Sequence, residues 1–296
     1  MGNWIKQLSV WADFVKFAHT IFALPFALAA MVVAARDNRG WPGWRIFLLI
    51  LACMVCARTC AMSFNRIMDR HFDRINPRTA SRHLPAGRIT LASAWTLCIA
   101  SGTGLVVASY YINWICFYLS PVALFIVCFY SLTKRFTDYT HVFLGISLSL
   151  APLGAWLAVT GSVSVEPLIL ALGVILWLIG FDIIYAIQDY DFDRRHHLHS
   201  LVVAWGVDNA LKASFLAHML MWGVLLAFGL ICRFRIPYMV GLLVILASLV
   251  FEHWLARKRS LKWINVAFFR MNALISMVFL TVVLCEIVFP GFRLNR

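Results

Sequence analysis

Two acidic clusters interrupt a sequence that is otherwise largely apolar. The first, NRIMDRHFD, covers residues 65–73, and the second, QDYDFDRRHH, covers residues 188–197; together they hold five of the thirteen acidic residues. Residues four apart lie on one face of a helix. The spacing therefore predicts two polar helix faces, one formed by Asn65, Asp69 and Asp73, and the other by Asp189 and Asp193 with Asp182 seven residues before them.

Carboxylates at this spacing repel one another unless a positive charge lies between them. Oxygen ligands suit Mg²⁺, which binds through one or two carboxylates together with substrate phosphates. If a helix bundle brings the two faces together, they enclose a metal–diphosphate complex. We therefore predict metal binding and catalysis by four aspartates, with an asparagine as a further ligand: Asp69, Asp73, Asp189, Asp193 and Asn65. The alternative is that these are helix-end charges that only meet water.

Several cations flank the acids. A diphosphate that carries Mg²⁺ is still anionic, and arginine and lysine bind such anions through charge-assisted hydrogen bonds. The candidates are Arg78 and Arg82 in NPRTASRHLPAG, and Lys134 and Arg135 in YSLTKRFTDYT. The alternative for each is a role in setting membrane orientation.

Arg58 differs from these cations because it lies in the middle of an apolar segment. An intramembrane charge is costly and usually functional. Arg58 precedes Asn65 by seven residues, so it faces the same way, and we predict that it holds a carboxylate in the cavity. An ion pair with Asp182 is the alternative.

The elements that position these residues are transmembrane helices. The chain has 296 residues, of which 62% are hydrophobic and 13% charged, and stretches of about 20 apolar residues are long enough to cross a bilayer. We predict an all-α, polytopic membrane protein with a single domain over residues 1–296 and nine spans, at 17–35, 45–67, 91–109, 112–132, 141–159, 167–187, 210–231, 236–256 and 269–289.

The loops carry unequal positive charge. The N-terminus and the loops after the even-numbered spans hold 18 lysines and arginines, whereas the other side holds 7. The richer side is expected to be cytoplasmic, which places the N-terminus inside, the C-terminus outside and both acidic clusters at the cytoplasmic face of the inner membrane. The net charge of +13 is explained by these loops, and no nucleic-acid-binding module is present in the sequence.

Cysteine and histidine suggest alternatives that we consider weaker. The eight cysteines lie in apolar stretches and are expected to be small buried hydrophobic residues, although Cys53, Cys56 and Cys60 share a helix face. The histidines after the second cluster, in HHLHS at residues 196–200, are expected to be loop residues rather than metal ligands.

Four segments together resemble the UbiA family of intramembrane aromatic prenyltransferases. They are NRIMDRHFD, NPRTASRHLPAG, YSLTKRFT and DIIYAIQDYDFD, in that order, and the likeness extends over nearly the whole chain. It implies a nine-helix bundle around a central cavity that opens toward the cytoplasm. It also implies that the first and last segments bind metal and diphosphate, and that Lys134, with Tyr130 beside it, contacts the diphosphate.

The same resemblance places KFAHTIFALPFALA in the first helix, beside the acceptor pocket. Ubiquinone-branch members have a segment similar to RLDRPIG there, whereas this chain offers Lys16 and His19. The form HTIFALPFA looks more like the branch associated with menaquinone made through futalosine. Lys16, His19 and Arg58 are therefore the candidate acceptor-binding residues.

The function that the resemblance implies is Mg²⁺-dependent transfer of a polyprenyl group from polyprenyl diphosphate to the ring of a small aromatic acid such as 4-hydroxybenzoate, in respiratory quinone biosynthesis. A dihydroxynaphthoate acceptor in menaquinone biosynthesis is the alternative within the family. A transporter using Arg58 and Asp182, or a phosphotransferase of the CDP-alcohol type, are the alternatives outside it, although the DG-x-x-AR segment of the latter is absent from the sequence.

Overall fold

The computed structural model describes residues 3–16, 20–257 and 260–289. This part of the chain is helical and contains no β-strand. Its helices are α1 (Asn3–Phe14), α2 (Thr20–Ala34), α3 (Trp44–Ile75), α4 (Leu91–Ile112), α5 (Trp114–Thr133), α6 (Thr140–Thr160), α7 (Val165–Ala186), α8 (Tyr190–Arg195), α9 (Leu201–Ile231), α10 (Ile236–Ala256), α11 (Leu261–Val266) and α12 (Asn272–Val288). A π-helical turn at Ala267–Met271 joins the last two helices.

Eight helical segments of the described chain are long and apolar enough to cross a membrane: Trp44–Ile75, Leu91–Ile112, Trp114–Thr133, Thr140–Thr160, Val165–Arg195, Leu201–Ile231, Ile236–Ala256 and Trp263–Val288. The predicted first span corresponds to α2, whose 15 residues extend about 22 Å at 1.5 Å per residue, less than a hydrocarbon core of about 30 Å. The all-α multi-pass architecture is confirmed, and the count of nine spans stays a prediction.

The bundle is held together by neighbouring helices and a shared aromatic core. Helix α7 packs against α6 and α9, α3 packs against α4 and α5, and α2 packs against α6 and α12. In the core, the Phe26 ring centroid lies 4.8 Å from that of Phe279 and 4.9 Å from that of Trp177. Small residues allow close helix approach in membranes: a Cβ on Gly145 of α6 would lie 3.0 Å from the Ile175 carbonyl oxygen of α7.

The clearest differences from the predicted spans are two helix boundaries and three short helices. Helix α3 continues eight residues beyond the predicted end at residue 67, so the first acidic cluster lies within one continuous helix. Helix α9 begins at Leu201, nine residues before the predicted start at 210, and includes a kink at Gly206, whose φ of 75° is non-helical. The short helices α1, α8 and α11 were not predicted.

The second acidic cluster does not continue α7 as one regular helix. Helix α7 ends at Ala186, a 3₁₀ turn covers Ile187–Asp189, and α8 begins at Tyr190. The expected single helix through Asp182, Asp189 and Asp193 is therefore corrected to a helix, a tighter 3₁₀ turn and a short helix, although all three aspartates line one cavity.

Candidate active site

Two cavities adjoin inside the bundle. The apolar cavity, of about 400 Å³, lies mainly among α3, α4, α5 and α6, and the polar cavity, of about 320 Å³, lies where α3, α5, α6 and α7 meet the loop at 76–90. Four residues line both cavities: Arg58, Tyr130, Leu144 and Leu148. A ligand with a charged head and an apolar tail can therefore occupy both.

The polar cavity contains nearly all of the predicted site residues. Among its lining residues are Lys16, Arg58, Asn65, Asp69, Asp73, Arg78, Arg82, Tyr130, Lys134, Asp189 and Asp193. Arg135 is not among the lining residues, and His19 lies outside the described residues. The two acidic clusters thus face one cavity although more than 100 residues separate them in the sequence, and the turn inside the second cluster does not remove either aspartate from it.

Asp69 is the most extensively contacted acid of the first cluster. Asn65 Nδ2 donates to Asp69 Oδ2 across one helical turn at 3.2 Å, and Lys134 Nζ lies 3.0 Å from the same oxygen. Arg135 approaches the other oxygen, Oδ1, at 3.6 Å, while also donating to the Met68 carbonyl oxygen. The Asp69 side chain is only 5% exposed, so these cations neutralise a carboxylate that has little access to water.

The other two ion pairs come from the loop after α3. Arg82 Nη1 donates to Asp73 Oδ1 at 2.6 Å. Arg78 is bidentate: its Nε donates to Asp189 Oδ1 at 2.8 Å, and its Nη2 donates to Asp189 Oδ2. Arg78 therefore connects the loop to the second cluster with the fork geometry for which arginine is suited.

Hydrogen bonds within the loop hold Arg78 in this position. The Arg78 backbone N–H donates to Asn76 Oδ1 at 3.0 Å, and Asn76 Nδ2 donates to Asp189 Oδ1 at 3.1 Å. The guanidinium also lies over the Tyr185 ring, 5.4 Å from its centroid, a cation–π contact. Although burial disfavours the cation, the paired Asp189 carboxylate raises the pKa of Arg78 above its ordinary value, so it stays charged.

The acidic residues fit a divalent cation. Asp69 Oδ1 and Asp73 Oδ2 are buried oxygens without a hydrogen-bond partner among the described residues, and unsatisfied hard oxygens are the ligands that Mg²⁺ takes. No three histidine, cysteine or acidic side chains of the described chain converge closely enough to hold a metal by themselves. Mg²⁺ does not need such a cage where substrate phosphates complete its coordination.

Of the candidate acceptor residues, Arg58 lies where the two cavities meet and Lys16 lines the polar cavity. Arg58 Nη2 donates to the Lys16 carbonyl oxygen at 3.3 Å, and Arg58 Nε is buried without a hydrogen-bond partner in the described structure. Lys16 itself is in the left-handed conformation, with a φ of 50°, and its Nζ lies 2.7 Å from Asp13 Oδ1. This hydrogen bond is the main reason that the pKa of Asp13 is lowered.

The structure pairs Asp182 with a residue that the sequence analysis missed. His141 Nδ1 lies 2.6 Å from Asp182 Oδ2, and both line the polar cavity. The alternative ion pair between Arg58 and Asp182 is therefore not formed. A histidine at the start of a predicted span does not by itself indicate a functional residue. Its partner lies 41 residues away in the sequence, so no local pattern predicts the contact.

The weaker alternatives from the sequence are also resolved. All eight cysteines are free thiols, and most are partly buried. Of the loop histidines, His196 and His197 are exposed, and His199 Nδ1 lies 2.9 Å from Asp138 Oδ1. They form no metal cluster within the described part of the chain.

Known proteins resemble this chain in both sequence and fold. A 4-hydroxybenzoate octaprenyltransferase from Tolumonas auensis is 29% identical over 223 residues, which are 75% of this chain and 78% of that protein. The apo structure of a UbiA homologue from Aeropyrum pernix superimposes with a TM-score of 0.80 at 29% identity, covering 90% of this chain and 96% of that one. A UbiA homologue from Archaeoglobus fulgidus, solved with GPP and Mg²⁺, gives a TM-score of 0.71 at 21% identity over 93% and 99% of the two chains.

A model of one protein family also matches most of the chain. Residues 23–274 match the model of the UbiA prenyltransferase family, a segment that includes both acidic clusters and both cationic loops. This membership favours an enzyme over the transporter and the CDP-alcohol phosphotransferase that the sequence had left open. With its acids and cations around a cavity that adjoins an apolar one, the chain belongs to the UbiA prenyltransferase family.

Proposed function

We propose that the protein transfers a polyprenyl group from polyprenyl diphosphate to the ring of an aromatic acid of the 4-hydroxybenzoate type, with Mg²⁺, in respiratory quinone biosynthesis. The observation that carries the proposal is the joining of a charged cavity to an apolar one at Arg58 and Tyr130. The 4-hydroxybenzoate octaprenyltransferase relatives support the acceptor, and the homologue solved with GPP and Mg²⁺ supports the donor and the metal.

The donor would bind with its diphosphate in the polar cavity and its prenyl tail in the apolar cavity. Asn65, Asp69, Asp73, Asp189 and Asp193 would hold Mg²⁺, which supplies charge neutralisation of the leaving diphosphate. Lys134, Arg78 and Arg82 each have a carboxylate partner here. With these carboxylates holding Mg²⁺, the three cations would be free to donate to the diphosphate oxygens.

The cations then favour departure of the diphosphate. Negative charge grows on the bridging oxygen as the allylic C–O bond weakens, and donors already held around it stabilise that charge without reorganisation. Arg135 supports Lys134 from the cavity edge, since it lies 3.6 Å from the same aspartate. Tyr130 lies at the junction, where the reacting carbon would be placed between the two cavities.

The acceptor would bind beside the junction. Arg58 offers a buried Nε without a partner in the described structure, which suits a carboxylate on the ring. Lys16 lines the same cavity, and His19 is assigned to the acceptor only through its place in the sequence. The electron-rich ring carbon would attack the allylic carbon while the apolar walls exclude water.

We also propose how the protein is oriented in the membrane and that it forms one domain. We infer a single domain in the inner membrane, with the N-terminus and the polar cavity on the cytoplasmic side, because the loops of that side are richer in lysine and arginine. A water-soluble aromatic acid would reach the polar cavity from the cytoplasm, and the lipid-like donor would reach the apolar cavity from the bilayer.

The test is incubation of the purified protein in lipid nanodiscs with Mg²⁺, octaprenyl diphosphate and either 4-hydroxybenzoate or 1,4-dihydroxy-2-naphthoate, followed by mass spectrometry. Prenylated 4-hydroxybenzoate is the expected product. Prenylation of the naphthoate alone would move the protein to the menaquinone pathway, and no prenylated ring with either acid would refute the aromatic acceptor.

A further inference from the structure

An aspartate–histidine pair in the wall of the polar cavity is separate from the three ion pairs in which Asp69, Asp73 and Asp189 take part. His141 is the second residue of α6, and Asp182 lies four residues before the end of α7. His141 Nδ1 and Asp182 Oδ2 are 2.6 Å apart. Both residues line the cavity that holds the acidic clusters.

The two members of the pair differ in their access to the cavity. The Asp182 side chain is 21% exposed, whereas that of His141 is 2% exposed. His141 Nε2 is buried and has no hydrogen-bond partner in the described part of the chain. Asp182 is therefore the member that a ligand can touch, and His141 lies behind it.

The burial also indicates which proton the histidine carries. A neutral imidazole with its hydrogen on Nδ1 donates to Asp182 and leaves only a lone pair at the buried Nε2. An imidazolium would instead bury an N–H group without an acceptor, which costs more. The ring therefore holds the Asp182 carboxylate in place at the cavity wall through one of its two oxygens.

The proposed reaction needs a base that is not engaged with the diphosphate. Asp69, Asp73 and Asp189 are each held by a cation and belong, with Asp193, to the proposed metal site. A carboxylate bound to a divalent cation is a poor proton acceptor. Asp182 is the remaining aspartate among the described residues that line the cavity.

We propose that Asp182 is the base that removes the ring proton of the aromatic acceptor, and that His141 is its positioning residue. This inference rests on the proposed function. As the ring carbon bonds to the allylic carbon, the allylic C–O bond breaks and its electron pair leaves with the diphosphate. The ring C–H bond then breaks, its electron pair restores the aromatic ring, and the proton passes to Asp182 and on to water.

The test uses 4-hydroxybenzoate deuterated at the ring carbons that can receive the prenyl group. In the unmodified protein, proton removal follows the slower C–C bond formation, and the isotope effect on kcat is expected to be close to one. Asp182→Asn should lower kcat by about 10²- to 10⁴-fold and introduce a primary isotope effect, because proton removal now limits the rate.

Two variants test the role of His141: one keeps a hydrogen-bond donor toward Asp182 and the other removes it. His141→Asn keeps an N–H near the position of Nδ1 and should retain most of kcat, whereas His141→Leu removes the donor and should lower kcat with little change in KM and show the isotope effect. His197→Gln, an exposed histidine outside both cavities, is the control and should match the unmodified protein.

A parallel measurement separates this inference from the proposed function. Release of diphosphate without an acceptor reports the donor site alone, and Asp182→Asn should retain it. If the unmodified protein neither releases diphosphate nor prenylates the ring, the proposed function fails. If Asp182→Asn transfers normally without an isotope effect, or loses diphosphate release as well, the assignment of Asp182 as the base is overturned.

Discussion

The polar cavity and the apolar cavity share four residues, yet their linings differ in how they carry charge. Six lysines or arginines and five aspartates line the polar cavity, whereas Arg58 is the one charged residue among the described residues that line the apolar cavity. In the polar cavity, three of the aspartates already have cationic partners. Because the opposite charges nearly balance, the free-energy cost of burying so many ionised groups in a membrane bundle is reduced.

This comparison separates two kinds of recognition. The polar cavity uses fixed hydrogen-bond donors and acceptors, so single substitutions there should have large effects on the chemical step. The apolar cavity offers area and volume, so substitutions there should change which tail is preferred, and by smaller factors. The two cavities should therefore respond differently to mutation.

The largest effect is expected from the carboxylates. Asp69→Ala or Asp189→Ala should lower prenyl transfer by more than about 1,000-fold, because each removes a proposed ligand of Mg²⁺, whose charge stabilisation would be worth several kcal/mol. Asp191→Ala is the matched control, since Asp191 lies in the second cluster but is exposed and does not line the polar cavity.

Two measurements are needed for these variants. Ring prenylation in nanodiscs gives the activity, and membrane fractionation with size-exclusion chromatography shows that the variants are inserted and folded. Normal turnover by both alanine variants would refute the metal assignment. Equal loss in Asp191→Ala would show that the effect is not specific to the cavity.

The next largest effect is expected from Arg78. Removing one preorganised donor to a developing negative charge typically costs about 100- to 1,000-fold in kcat, so Arg78→Ala should lose activity in that range. Arg78→Lys should recover only part of it, because lysine lacks the fork of donors with which arginine can bind a diphosphate, as it binds Asp189 here. Single-turnover measurement of diphosphate release reports this step directly.

Arg74 provides the control for this prediction. It lies at the end of α3, is exposed and lines neither cavity, so Arg74→Ala should retain diphosphate release. Full recovery by Arg78→Lys would mean that only the positive charge of residue 78 matters and that bidentate donation by arginine is not needed.

The residue types and spacing predicted which residues line the polar cavity better than they predicted which of these residues pair with one another. The four-residue spacing identified both acidic clusters, and the polar residues in apolar surroundings identified Arg58. The Arg78–Asp189 contact joins residues 111 apart, and the His141–Asp182 contact joins residues 41 apart. No local pattern encodes such contacts, because they depend on how the helices pack.

The fold was predictable where hydropathy determines it. Segments of about 20 apolar residues predicted nine spans, and eight of them correspond to helices long enough to cross a membrane. The extension of α3 through charged residues and the kinked start of α9 carry no hydropathy signal. The apolar cavity was not predictable, since residues that line it have the same apolar composition as residues that face lipid.

Arg58 tests the junction of the two cavities and should have an intermediate effect. Hydrogen bonds to charged groups are worth about 1.5–3 kcal/mol, so Arg58→Met should raise KM for 4-hydroxybenzoate by roughly 10- to 150-fold with little change in KM for the donor. The variant should also lose the preference for the acid over its methyl ester, which lacks the charge.

Arg45→Met is the control because Arg45 lies at the start of the same helix, is exposed and lines neither cavity. Kinetics with each substrate varied in turn distinguish the two KM values. A rise in KM for the donor alone would mean that Arg58 binds the diphosphate of the donor and not the acceptor.

The smallest effect is expected from the apolar cavity. Gly154 of α6 lines it, and a Cβ built there meets no atom within 4 Å, so Gly154→Phe should occupy the cavity without straining the helix. Displacing about two methylene groups of a long tail costs about 1.6 kcal/mol, or roughly 15-fold in binding. The variant should lose about that factor in kcat/KM for octaprenyl diphosphate and keep its activity with geranyl diphosphate, whose shorter tail reaches less of the cavity.

Gly223 of α9 supplies the matched control, because a Cβ there also meets no atom within 4 Å and the residue lines neither cavity. Gly223→Phe should leave the ratio of the two donors unchanged. An equal loss for both donors in Gly154→Phe would mean that the tail does not extend along α6. No loss with either donor would place the tail outside the apolar cavity, and the proposed separation of head and tail between the two cavities would then have no basis.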